Sequence, residues 1–101
     1  MKPDQSPSDI HQVHARISGH VQGVGFRYYV YHFAQIKDLT GWVRNLHNGQ
    51  VELFAEGPME DLSTLLSLVR EGPSGAMVSD IDMDWPGSQK KYDRFSMLPT
   101  D

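Results

Sequence analysis

Gly19, Gly23 and Gly25 fall within seven residues, and Arg27 closes the run Gly19-His20-Val21-Gln22-Gly23-Val24-Gly25-Phe26-Arg27. Glycine lets a backbone turn tightly and bring its N–H groups close to a ligand. An apolar pattern of helical period follows at once. A helix start adds unpaired N–H groups and a partial positive charge. Arginine adds a planar fork of donors that matches a tetrahedral oxyanion. The run therefore reads as a cradle for a phosphate-sized anion. It is not a dinucleotide fingerprint, because Tyr28 stands where the third glycine should be, and no Lys-Ser or Lys-Thr follows to make a Walker loop.

A second cluster, Gly41-Trp42-Val43-Arg44-Asn45-Leu46, precedes Asn48-Gly49. Strand alternation puts Val43 and Asn45 on one face and Trp42, Arg44 and Leu46 on the other. A polar amide on the valine face needs a partner. A structural hydrogen bond to a neighbouring loop would satisfy it, and so would exposure near the hairpin end.

The elements that must position these residues follow from periodicity. Residues 1–10 are rich in Pro, Ser, Asp and Gln and read as a flexible tail ahead of a single domain over 11–101. Val13, Ala15 and Ile17 alternate with polar residues and predict a strand with one buried face. Phe26, Tyr29, Val30 and Phe33 predict a helix from Phe26 to Lys37. Gly41–Leu46 and Gln50–Glu56 read as strands joined by Asn48-Gly49, a signature of the two-residue type I′ turn. Pro58 is suited to the first turn of a second helix, whose apolar stripe is Leu62, Leu65, Leu66 and Val69 and which Gly72-Pro73 ends. Ile81, Met83 and Trp85 alternate with Asp80, Asp82 and Asp84, a strand whose charged face discourages edge pairing. Phe95 and Met97 form a short last strand. The order is β-α-β-β-α-β plus one strand. That is the α+β, ferredoxin-like split βαβ plan, with two helices on one face of an antiparallel sheet.

Composition narrows the function classes. With 101 residues the chain is one domain, and it has no cysteine, hence no disulfide, thiolate nucleophile or zinc-thiolate site. No stretch approaches a membrane span, and residues 1–10 hold no apolar run of a secretory leader; a cytoplasmic location is the expectation. The net charge of −4 argues against nucleic acid. Between His11 and Gln50, however, Arg16, Arg27, Lys37 and Arg44 face Asp38 alone, whereas from Val51 to Pro86 Arg70 faces eight carboxylates. The half carrying the glycine run is the one that attracts an anion.

Gly19-x-Val21-Gln22-Gly23-Val24-x-Phe26-Arg27 and Gly41-Trp42-Val43-x-Asn45-x-x-x-Gly49-x-Val51, taken together, closely resemble acylphosphatase. The likeness extends to Ala34, Gly72-Pro73-x-Gly75-Ala76 and Phe95-x-Met97, and spans about Val13 to Leu98. The chain departs from the pattern at Lys37-Asp38-Leu39, where the family often has Leu-Gly-Leu, and at Pro99-Thr100-Asp101. The resemblance implies a small stand-alone hydrolase of carboxyl-phosphate anhydrides that uses no metal or other cofactor and forms no phosphoenzyme. It implies that Arg27 binds the phosphoryl oxygens with backbone N–H groups of Gln22, Gly23, Val24, Gly25 and Phe26, and that Asn45 orients the attacking water. The implied partners are a small acyl phosphate and inorganic phosphate, with no nucleic acid and no membrane; a monomer is the default.

The chemistry suits so sparse a site. A carboxylate leaving group, with a conjugate acid of pKa about 4, needs no general acid. The transition state is charge spread over phosphoryl oxygens, so catalysis reduces to positioning and electrostatic stabilisation. Two other classes compete. One is a noncatalytic anion-binding domain of the kind found in larger carbamoyl-phosphate-using proteins. The other is an RNA-binding domain of the same strand order, disfavoured by the acidic strand Val51-Glu52-Leu53-Phe54-Ala55-Glu56. Of the five histidines, His11, His14, His32 and His47 have no ligand spacing, and His20 alone enters the cradle, where it could tune phosphate affinity below pH ~6.5.

Overall fold

The computed structural model describes residues 9–101. Most of the expected tail thus lies outside the described residues, and Ile10 already opens the first strand by pairing with Pro58. The elements are β1 (Ile10–His20), α1 (Phe26–Ile36), β2 (Thr40–Asn45), β3 (Val51–Pro58), α2 (Met59–Glu71), β4 (Met77–Asp84) and β5 (Phe95–Met97). The strand order is β4-β1-β3-β2-β5. No helix among the described residues is long and apolar enough to cross a membrane.

Period-2 alternation sends Val13, Ala15 and Ile17 of β1, Val43 of β2, and Val51, Leu53 and Ala55 of β3 to one face, where all are fully buried. The helices cover that face with Phe26, Val30 and Ala34 of α1 and Leu62, Leu65 and Val69 of α2. Each of the valine, leucine, isoleucine and phenylalanine side chains among these contributes about 1.5–3 kcal/mol by leaving water. In α2, Glu60 and Asp61 stand at the positive end of the helix dipole and Arg70 at the negative end.

Four details differ from the sequence expectation. The sheet is mixed rather than antiparallel, because β5 runs parallel to β2, from Gly41↔Phe95 to Val43↔Met97. The cause is the route of residues 85–94. They leave β4 at one edge and cross at the end of the sheet where β2 begins, so β5 must run in β2's direction. Buried Glu56 holds this crossing: its carboxylate accepts the backbone N–H of Lys91 at 2.6 Å and of Tyr92 at 3.1 Å, and side-chain donors from Thr40 and Gln12. Second, the β2–β3 connection is a three-residue loop, His47-Asn48-Gly49, rather than a two-residue type I′ turn. Leu46 accepts the Gly49 N–H at 3.1 Å and donates to Gln50 at 2.8 Å. Asn48 Oδ1 accepts the Gln50 N–H, and Gly49 alone takes positive φ (96°), the pattern of a type I turn followed by a glycine bulge. Third, Pro58 is still extended and caps α2 from the end of β3. Fourth, β4 begins at Met77 and stops before Trp85; as expected of its aspartate row, it is an edge strand.

The end of α1 is a Schellman motif: Leu39 N–H donates to Ala34 at 2.9 Å and Asp38 N–H to Gln35 at 3.0 Å. Asp38 occupies the left-handed position (φ 56°) that glycine usually takes there.

Candidate active site

β1 delivers the chain to the cradle, and α1 leaves it. Gly25, with φ 79° and ψ 22°, is the N-cap of α1, and Gly23 is also left-handed at φ 77°. A β-carbon on either would meet no protein atom within 4 Å, so what requires glycine is the backbone angle and not crowding. The first intrahelical bond runs from Tyr29 N–H to Gly25 at 3.0 Å. The N–H groups of the preceding turn therefore have no helical acceptor. No acidic side chain occupies that turn and none caps it, so the positive end of the helix is left for an external anion.

Arg27 and Asn45, from α1 and β2, line one cavity of about 320 Å³ together with Gly23, Gly25 and Phe26. Arg27 is held from behind, Nη1 donating to the Leu98 carbonyl at 2.9 Å. Leu98 is itself fixed by its N–H bond to Val43. Asn45 is the last residue of β2, and its carbonyl accepts the Asp101 N–H at 3.2 Å. Its side-chain amide has no hydrogen-bond partner among the described residues and so remains available to a ligand or a water. Arg44 points the other way, as alternation requires, and donates Nε to Glu52 at 2.8 Å. Burial alone would raise the Glu52 carboxyl, but hydrogen bonds from His14 and Arg44, with their charges, hold it below its ordinary value.

Of the six cradle residues singled out in the sequence, Gly23, Gly25, Phe26 and Arg27 line the cavity, while Gln22 and Val24 do not. Val24 packs against the core. The Gln22 side chain turns toward the β2–β3 loop, where Nε2 donates to both the Leu46 and Gln50 carbonyls at 2.8 Å. Gln50 in turn donates to Ser18 Oγ at 2.9 Å. The cradle and the loop behind Asn45 are thus joined by side-chain bonds that no local sequence pattern announced. Tyr28, Met97 and Val21 also line the cavity and were missed. Met97 reaches it only through the parallel docking of β5, a long-range pairing. His20 is exposed and does not line it.

A model of the acylphosphatase family matches residues 13–97. The chain is 46% identical to the acylphosphatase of Salinibacter ruber over 84 residues, covering 83% of this chain and 88% of that one. It resembles the crystal structure of the Bacillus subtilis acylphosphatase with a TM-score of 0.84 at 39% identity, covering 87% of this chain and 98% of that one. The structure of an acylphosphatase from Coxiella burnetii gives 0.87 at 36% identity, covering 93% and 98%.

Proposed function

The chain belongs to the acylphosphatase family, whose activity is acyl phosphate hydrolysis, and we propose that it cleaves the carboxyl-phosphate bond by metal-free, in-line attack of a water oriented by Asn45. One observation carries this reading: Arg27 and an Asn45 amide without a hydrogen-bond partner among the described residues, from separate elements, line the same cavity at the open start of α1. Arg27 and the cradle N–H groups hold the phosphoryl oxygens. The water oxygen bonds to phosphorus as the bond to the carboxylate oxygen breaks. The electron pair leaves with the carboxylate, whose conjugate acid has a pKa of about 4. The water's proton passes to a phosphate oxygen, so the products are a carboxylate and inorganic phosphate.

Each residue type fits its task. A guanidinium offers five fixed donors, enough to hold the Leu98 carbonyl and still present a fork to the phosphoryl group. Successive backbone N–H groups in a left-handed turn form an anion-binding nest. An amide at Asn45 can bind water without repelling the phosphate, as a carboxylate would. The test is benzoyl phosphate hydrolysis with excess chelator. Undiminished turnover is expected. Phosphate binding without turnover would leave an anion-binding domain in place of a hydrolase.

A further inference from the structure

The cavity is larger than a phosphoryl group needs. At about 320 Å³ it has room beyond the phosphorus and three terminal oxygens of that group. The remaining space is bordered by Tyr28 and Met97. Both are large and apolar yet substantially exposed, at 61% and 43%, and neither belongs to the core. Their faces are left open at the one place on the surface where a phosphoryl group would dock beside them.

We propose that Tyr28 and Met97 form an acyl-group subsite that favours acyl phosphates with an aromatic or extended apolar acyl group; this rests on the hydrolase reading above. Tyr28 follows Arg27 in α1, and both side chains line the cavity. His32, one helical turn on, stacks behind it with centroids 6.1 Å apart and planes at 21°. The ring is therefore braced before a substrate arrives, which lowers the ordering cost of binding. Met97 comes from β5 on the far side and supplies an adaptable, polarisable thioether that packs well against aromatic rings. Arg27 is the one charged residue among those lining the cavity. An acyl group carrying its own carboxylate or second phosphate would find no counter-charge there. An uncharged, flat acyl group finds a ring and a thioether.

The contact strengthens binding of the remote part of the substrate, so it enters kcat/KM for the larger acyl group and not for the smallest. The experiment compares kcat/KM for benzoyl phosphate and acetyl phosphate in the unmodified protein and in Tyr28→Ala, Met97→Ala and Tyr28→Phe. The benzoyl-to-acetyl ratio is expected to fall about three- to tenfold in each alanine variant and to be preserved in Tyr28→Phe, which keeps the ring. Using a ratio cancels any loss of folded protein. An unchanged ratio in both alanine variants, with both substrates turned over, would overturn the subsite alone. No turnover of either substrate by the unmodified protein would overturn the hydrolase reading and the subsite with it.

Discussion

Arg27 Nη1 donates to the backbone carbonyl of Leu98 across 2.9 Å, a bond spanning 71 residues of sequence. One edge of the guanidinium is thereby spent on the segment after β5. The bond ties the group to that segment, and Arg27 lines the same cavity as Asn45. The long crossing of residues 85–94 and the parallel docking of β5 thus bear directly on the geometry of the site.

Arg27→Ala is expected to lower kcat/KM for benzoyl phosphate by on the order of 10³-fold, as for loss of a main oxyanion donor, and to weaken inhibition by inorganic phosphate. Arg27→Lys should recover little. An ammonium offers a point charge and cannot hold the Leu98 carbonyl and two phosphoryl oxygens in one plane. Steady-state kinetics with phosphate as inhibitor measure both effects; recovery of most activity by lysine would show that charge alone suffices.

Asn45→Ala separates turnover from anion binding. The cradle and Arg27 are untouched, so the inhibition constant for phosphate should stay within about threefold, while kcat falls on the order of 10²-fold from loss of water positioning. Equal losses in both quantities would place Asn45 among the phosphate contacts instead.

The layout of this site was legible in the sequence where local rules act. The glycine run, Arg27 at the start of α1, and Asn45 on the valine face of β2 follow from backbone angles and periodicity. What was not legible depends on residues far apart in the chain. The Gln22 amide bonds to two carbonyls of the β2–β3 loop, and Met97 arrives by β5 pairing with β2; neither leaves a pattern in its own neighbourhood. Asn48-Gly49 was misread for a local reason. An asparagine side chain that accepts the N–H two residues on favours the three-residue loop over the primed turn.

Gln22→Ala removes two side-chain bonds that tie the cradle to the loop behind Asn45. A cost of about 1–3 kcal/mol is expected, seen as a lower urea midpoint. The kcat should also fall, because the cradle and the strand that carries Asn45 lose their common brace. Gln22→Glu should be worse than alanine, since a carboxylate would face two carbonyl oxygens. A glutamate variant as stable as the parent would contradict this account.

Glu52 gives the stability an acid limb. Hydrogen bonds from His14 and Arg44, with their charges, outweigh burial and hold its carboxyl below its ordinary value, so the folded state releases this proton more readily than the unfolded chain. The stabilisation is complete above the unfolded value and is lost as pH falls through the lower, folded one. Comparing the protein with Glu52→Gln by urea denaturation isolates this effect from other carboxylates. The stability difference should be constant at neutral pH and shrink as pH falls below about 4.3. A difference that does not change between pH 7 and pH 3 would remove Glu52 from the acid response.

Asp38 stands in a left-handed conformation at the C′ position of the α1 Schellman motif. Both of the motif's backbone bonds are made, so the helix end is intact, but an L side chain there costs about 1–2 kcal/mol relative to glycine. Aspartate recovers part of this through its short polar side chain. Glycine also adds conformational freedom to the unfolded chain, which offsets part of the gain. Asp38→Gly is therefore expected to stabilise by about 0.5–1 kcal/mol, raising Tm by about 2–8 °C. Asp38→Ala should destabilise, since it keeps the β-carbon and alanine visits the left-handed region less readily than aspartate. Activity is the informative second readout. α1 carries Arg27 at its opposite end, eleven residues away in sequence, and the core residues Phe26, Val30 and Ala34 already fix its axis. A firmer C-terminus should thus leave kcat unchanged while Tm rises. A loss of activity with the gain in stability would mean that movement of α1 belongs to the catalytic cycle.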